Sequence, residues 1–167
     1  MKKVIIGILK VFSFLPAIAM MLVIYGFSSQ SGEMSGRISY QISYEIVEVK
    51  DIILDTGYSE EELAAQAHDI HYYVRKAAHM TEFFLLAVSV SFPLYVYGVR
   101  GIWLVLLAGV ICVGYAGLDE YHQAGVMGRG PSIKDVGIDS VGVLLGVLIV
   151  QAFCWASTHN PSARSGR

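Results

Sequence analysis

Four apolar runs divide the chain, at about residues 4–27, 77–97, 102–118 and 136–155, and a polar stretch at 28–76 separates the first from the rest. Each run approaches the roughly 20 residues that a helix needs to cross a bilayer. The pattern predicts an all-α, polytopic membrane protein: a single domain over 1–167 with four transmembrane helices, and a helical insertion at about 33–74 between the first and second spans. Within the insertion Ile38, Ile42, Ile46, Val49 and Ile53 recur every three or four positions, which puts one apolar stripe on a helix. Helices lying in a lipid interface usually carry a basic polar face, and this one is acidic, so the stripe is expected to dock onto the outer ends of the spans. Asp55-Thr56-Gly57-Tyr58 breaks that helix, and Ser59 followed by Glu62 predicts a capping box that opens the next. No breaker separates this second helix from the second span, so the two are expected to be continuous.

The second span carries charge at its entry. Only residues 83–97 are uncharged, roughly 22 Å of helix at 1.5 Å per residue, which is short of a ~30 Å hydrocarbon core. His79 and Glu82 are therefore expected at the edge of the core or in a polar cavity. In the fourth span Gly137, Gly142 and Gly146 are expected to permit close helix approach. The first run follows Lys2 and Lys3 and contains Ala17-Ile18-Ala19, which resembles a signal-peptide cleavage site. Met20 to Tyr25 continue apolar past it, so a retained anchor is expected.

Composition agrees with this reading. The 167 residues are 54% hydrophobic, with a mean hydropathy of +0.55, more apolar than a soluble domain of this length ordinarily is. The net charge of −2 offers nothing to nucleic acid. Cys112 and Cys154 both lie in apolar runs and read as packing residues rather than a disulfide or a metal pair. No cofactor is expected. His79, Glu82, Glu120, His122 and Asp139 are adequate metal-ligand types, but no compact His–Glu motif is present, so no metal is expected either. His68 and His71 sit in a polar helix and are expected to be solvated.

The acids sharpen the picture. All 14 fall within 33–82 or 119–139, facing the ends of the apolar runs. The opposite ends and the 98–101 connection carry Lys2, Lys3, Lys10, Arg100, Arg164 and Arg167 and no acid. Each side holds six bases, so the raw count is a tie; Lys2 and Lys3 before the first span break it, because the first helix usually dominates and long loops weigh little. Both termini are expected to be cytoplasmic and the polar cluster extracytoplasmic, on a multi-pass protein of the cell membrane.

Three clusters carry candidate chemistry. Arg75, His79 and Glu82 follow i, i+4, i+7 spacing on one helix face with Lys76 beside them, a set suited to a phosphate or carboxylate. The bland reading is a helix end anchored by snorkelling bases. Asp119, Glu120 and Gln123 close the third span, which alone would be ordinary membrane-edge polarity. Asp135 and Asp139 continue through Gly142 and Gly146 on one stripe of the fourth span, and Asp139 lies too far inside it to be simply solvated. Arg129, between Gly128 and Gly130, reads as a mobile base over the site or as an exposed loop residue. Taken together, the second, third and fourth spans each bring a carboxylate to one depth, where the first also ends at Ser28-Ser29-Gln30. Such acids in low dielectric must pair with Arg75, His79 or Arg129, or hold a cation.

The order of these motifs resembles the VanZ family of small bacterial membrane proteins. The residues are Ser28-Ser29-Gln30-Ser31, then Arg75-Lys76 with His79 and Glu82, then Asp119-Glu120 with Gln123. Gly128-Arg129 with Ser132 and Asp135 follow, then Asp139 with Gly142 and Gly146. The ordered set covers nearly the whole chain. The resemblance implies a link to low-level resistance to teicoplanin, a glycopeptide antibiotic with a lipid tail. It carries over motif positions, including Gln30 and Ser132, and no catalytic roles. Asp139 stands where many relatives carry Asn, which makes plain anion binding a poorer fit.

Three function classes remain open. The first is a binding protein that recognises the head group of an amphiphile: a membrane lipid, a lipid-linked wall precursor or a lipoglycopeptide. Arg75, Lys76, His79 and Arg129 would hold the head, and Glu82, Asp119, Glu120 and Asp139 would orient them. The second is an enzyme acting on such a head group, with His79 as acid or base and Glu82 or Asp139 orienting it; against it, no Ser or Cys nucleophile stands in a recognisable setting. The third is a small transporter or a structural bundle. Confinement of the ionisable residues to one side weighs against transport.

Overall fold

In the computed structural model residues 12–159 are described. They form five helices and no strand: α1 (Leu15–Ser28), α2 (Gly32–Leu54), α3 (Glu60–Val96), α4 (Ile102–Gln123) and α5 (Ile133–His159). Three helices, α3, α4 and α5, are long and apolar enough to cross a membrane, and α1 is a shorter apolar helix. Lys2, Lys3 and the first third of the first expected span, with Lys10, lie outside the described residues, as does the segment after 159.

The expected continuity of insertion and second span is observed. Helix α3 runs unbroken for 37 residues, about 55 Å against a ~30 Å core. Its start is fixed by the predicted capping box: the Ser59 hydroxyl accepts from Glu62 N–H, and the Glu62 carboxylate accepts from Ser59 N–H at 2.9 Å. Its first half pairs with α2. Tyr44 donates to Glu60 at 2.6 Å and Lys50 to Gln66 at 3.0 Å across this pair. The turn between them uses Asp55 and Gly57 at positive φ. Asp51 closes it by accepting from the Thr56 hydroxyl and from Tyr58 N–H.

One expectation is overturned. The face that α2 buries is Ser39, Ser43 and Val47, not the isoleucine stripe. Small hydroxylated residues let the helix lie close to α3, and Ser39 and Ser43 turn their hydroxyls back to the carbonyls of Ser35 and Ser39. Ile38, Ile42, Ile46, Val49 and Ile53 are left 37–73% exposed. Helical periodicity shows that a stripe exists, and only packing decides which stripe is inward.

The bundle core is formed by Ile24 of α1, Phe83, Leu86 and Val90 of α3, Leu104 and Cys112 of α4, and Val143 and Val147 of α5. Cys112 and Cys154 are both buried. Large apolar side chains such as Leu106, Val110, Leu148 and Ile149 point outward, as they must on helices whose solvent is lipid. Helices α3 and α5 approach most closely. A Cβ at Gly142 would collide with the Met80 carbonyl, and one at Gly146 would stand 2.6 Å from the Phe84 carbonyl oxygen. Gly137, expected to do the same, faces open space, because it lies off the Gly142–Gly146 stripe.

Gly142→Leu is expected to push α5 off α3. Overpacking typically costs ~1–3 kcal/mol, and the obstacle here is backbone, so the upper end or beyond is expected. Thermal unfolding of the purified protein in detergent checks this, with Gly137→Leu as the control that leaves the transition unchanged. Hydrogen bonds from Thr56 and Tyr58 hold Asp51 below the ordinary carboxylate value of 3.8. A depressed folded value stabilises the turn above the unfolded value, and the gain disappears as pH falls through the folded one. Amide exchange in residues 51–60 is therefore expected to accelerate below about pH 4, and Asp51→Asn to remove that pH dependence.

Candidate functional site

At the end where α1 stops and α5 starts, eight of the expected site residues line one cavity of about 120 Å³. Arg75, Lys76 and His79 come from α3, Glu120 and Gln123 from α4, Arg129 from the α4–α5 loop, and Asp135 and Asp139 from α5. The geometry follows from the helices. On α3 the residues 75, 76 and 79 fall within one face. On α5 Asp135 and Asp139 continue the glycine stripe, so the contact that brings Gly142 against Met80 also turns both acids toward α3.

Most of these charges already have protein partners. Lys76 Nζ lies 2.5 Å from an Asp135 carboxylate oxygen, with both side chains largely covered. Arg75 donates through Nη2 to the Gly32 carbonyl at 2.9 Å and so ties α3 to the start of α2. Arg129, read either as a mobile base over the site or as an exposed loop residue, is tied to backbone. It donates through Nε to the Gln30 carbonyl and through Nη2 to the Phe27 carbonyl, which closes the C-terminal end of α1. Burial and the neighbouring Arg75 lower Arg129 from its ordinary value, and Asp119, Glu82 and Glu120 oppose this. A guanidinium remains charged regardless.

The carboxylates divide in the same way. Asp119 stands behind the cavity, where one oxygen accepts from the Ser28 hydroxyl at 2.8 Å and from Gln123 Nε2 at 2.7 Å. Glu120 accepts from Ser132 N–H at 2.7 Å and fixes the entry to α5. Ser132 itself is therefore a hinge of the fold rather than part of the cavity wall. His79 Nδ1 is 3.6 Å from a Glu82 oxygen. That oxygen is buried without a hydrogen bond, as is Arg75 Nε. Asp139, like Glu82, receives no hydrogen bond on its carboxylate among the described residues; it is only 3% exposed and lines the first cavity. Asp119, Asp135 and Glu120 are its electrostatic neighbours, with Lys76 opposing them.

Glu82 and Gln30 lie in a second cavity, of about 170 Å³, which shares Arg75, His79 and Arg129 with the first. Its other walls are Phe27, Ile38, Ile42, Val74 and Ala78 among others. These apolar wall residues were not legible as site residues. Their only signal was the isoleucine stripe, which the sequence offered equally to packing. Two further contacts were also missed. The Ser29 hydroxyl is 3.1 Å from His122 Nε2, whose ring packs on Tyr25 at 4.6 Å. Gly32 meets the Gly128 carbonyl so closely that no side chain fits there. No group of three or more His, Cys, Asp or Glu among the described residues is placed to hold a metal ion.

The Lys76–Asp135 pair gives a test of this architecture. Lys76→Met is expected to destabilise the protein by more than the ~1 kcal/mol typical of exposed pairs and less than the ~3–5 kcal/mol of fully buried ones. The Lys76→Met/Asp135→Leu double variant should recover much of the loss, because it leaves no unpaired charge. A double-mutant cycle on thermal stability measures the coupling.

No curated protein and no solved structure matches the chain. A family model does, the one described as VanZ/LLP1, over residues 12–154. That match takes in α1 to α4, α5 as far as residue 154 and every residue of the two cavities, and the chain belongs to the VanZ/LLP1 family.

Proposed function

We propose that this protein recognises the polar head of an envelope amphiphile, a membrane lipid or lipid-linked wall precursor, from the outer leaflet. The proposed topology is four spans with both termini cytoplasmic and the cavity extracytoplasmic, the α2–α3 pair forming an outer cap. The excess length of α3 supports it, since about 25 Å must project beyond a hydrocarbon core. The observation that carries the reading is a mismatch of partners inside one cavity: Asp139 lines it with no protein donor on its carboxylate among the described residues, and Arg75 Nε is buried with no acceptor. Leaving the buried guanidinium N–H unsatisfied costs ~1–3 kcal/mol. A head group that brings an anionic oxygen to Arg75 and a hydroxyl or ammonium to Asp139 answers both.

Size narrows the ligand. A cavity of about 120 Å³ suits a small polar group such as a phosphate and its neighbour. It does not take a whole glycopeptide. Any effect on glycopeptide resistance would then run through the envelope molecule rather than through capture of the drug. The His79–Glu82 pair, on the wall between the cavities, favours a second reading in which the same head group is chemically modified.

Native mass spectrometry of the protein released from its membranes, with bound lipids identified, tests the proposal. A phosphate-bearing lipid with a hydroxyl or amine on its head is expected to be retained. Asp139→Asn, which breaks no protein hydrogen bond, should lower that retention about tenfold or more, and Arg75→Ala likewise. Equal retention in Asp139→Asn, or no retained lipid, sinks the reading and leaves a structural polar network. Conversion of the lipid by the unaltered protein, abolished in His79→Ala with binding kept, would instead favour the enzyme.

A further inference from the structure

The polar cavity does not stand alone. The second cavity is separated from it only by Arg75, His79 and Arg129, which line both. On one side of these three side chains the walls include Lys76, Asp135 and Asp139; on the other they are Phe27, Ile38, Ile42, Val74 and Ala78 with Gln30, Ser35, Ser39 and Glu82 among them. The second cavity still presents a mostly apolar surface. A shallow groove along α2, lined by Ile42, Glu45, Ile46 and Val49, shares Ile42 with it. Ile38, Ile42, Ile46 and Val49 belong to the stripe that α2 leaves uncovered. Residues 38–49 span about 16 Å of helix.

The geometry points to the second cavity and its groove as the site of the hydrocarbon chain of the amphiphile whose head fills the first. This rests on the head-group reading above. A hydrocarbon chain is the occupant because the cavity adjoins the head-group site across those three side chains, so that the two ends of a single amphiphile reach one cavity each. The junction of such a molecule lies at Arg75, His79 and Arg129, which line both cavities. Glu82 adds a buried carboxylate oxygen with no donor on the same wall, in reach of a hydroxyl on the linker between head and chain. The isoleucine stripe, idle as a packing surface, then has a role.

The test compares two probes that share one head: glycerol phosphate, which has no chain, and its mono-acyl derivative. Binding of each is measured to the full chain in phosphatidylcholine nanodiscs. Ala78→Trp fills the apolar cavity from an exposed position, and Ile38→Ser makes its wall polar. The acylated probe is expected to bind at least about tenfold more tightly than the bare head. Each variant should reduce that advantage about tenfold while binding glycerol phosphate within about twofold of the unaltered protein, which also shows that the variant is folded. A photoreactive group within the acyl chain should label peptides covering 35–49 and 74–82. If glycerol phosphate binds but the acyl chain adds nothing, or its label falls only on the outward faces of α4 and α5, the chain site is wrong and head-group recognition stands. Loss of both probes in Asp139→Asn with both bound in Ala78→Trp at full strength overturns the chain site alone. If glycerol phosphate fails to bind the unaltered protein, this head-group reading fails and the chain site with it.

Discussion

Two glycines set the position of nearly everything else. Because Gly142 and Gly146 lack a Cβ, α5 lies with its backbone against the Met80 and Phe84 carbonyls of α3. In lipid such helices gain little from apolar burial against one another, and close van der Waals approach is what holds them. The same stripe, one and two turns toward the start of α5, carries Asp139 and Asp135. Close approach therefore brings those acids against Lys76 and the head of the α3 face. Moving α5 outward by the width of a methyl group would open the Lys76–Asp135 pair to solvent and widen the cavity. Packing and polar chemistry at this end of the bundle are one constraint, which is why two acids and then two glycines share one helix face.

The charged side chains at the cavity do two kinds of work, and their partners separate them. Arg75, Arg129 and Glu120 hold backbone at helix ends: the Gly32, Gln30 and Phe27 carbonyls and the Ser132 N–H. Helix termini leave such groups unsatisfied, and near hydrocarbon water does not dependably supply the missing partners. Long charged side chains reach across and close α1, α2 and α5 at the same depth. Asp119 does the equivalent for Ser28 and Gln123. The cost of burying these charges is offset by the loop geometry that they fix, and the loops in turn roof the cavity. Asp139 has no such task, and its burial is hard to explain by architecture alone.

The sequence made the helices and the depth of the polar layer legible, and the structure bears out the long α3, the capping box at Ser59 and the glycine approach of α5. These are local signals: periodicity, a cap, a turn, two small residues one turn apart. The gathering of Arg75, Lys76, His79, Glu120, Gln123, Arg129, Asp135 and Asp139 was inferred from a shared depth, and side-by-side helices do bring them together. Partner choice was not legible. Nothing in the spacing of Arg129 says that it closes α1, and nothing in Ser132 says that its amide meets Glu120, because both contacts depend on loop paths. The inward face of α2 was misread for a related reason. Ser39 and Ser43 look polar in sequence, yet each satisfies its own hydroxyl within the helix and then packs like a small residue.

That misreading changes what the insertion means. If the isoleucines had faced α3, the α2–α3 pair would be a closed cap and the cavity beneath it a sealed polar pocket, fit only for a small soluble ion. With the serines inward, the helix sits close and its apolar stripe stays open beside the polar cavity. Water can hydrate the polar cavity but gains nothing from the isoleucines beside it. A bare anion would satisfy Arg75 and repel Asp139. A hydrocarbon alone would cover the stripe and bury the polar cavity further. On the proposed reading, a molecule with a polar end carrying both an acceptor and a donor, joined to an apolar end, serves both surfaces together. The pairing of a mixed-charge cavity with an adjoining apolar one is thus a stronger constraint on the ligand than either charge or hydropathy taken singly.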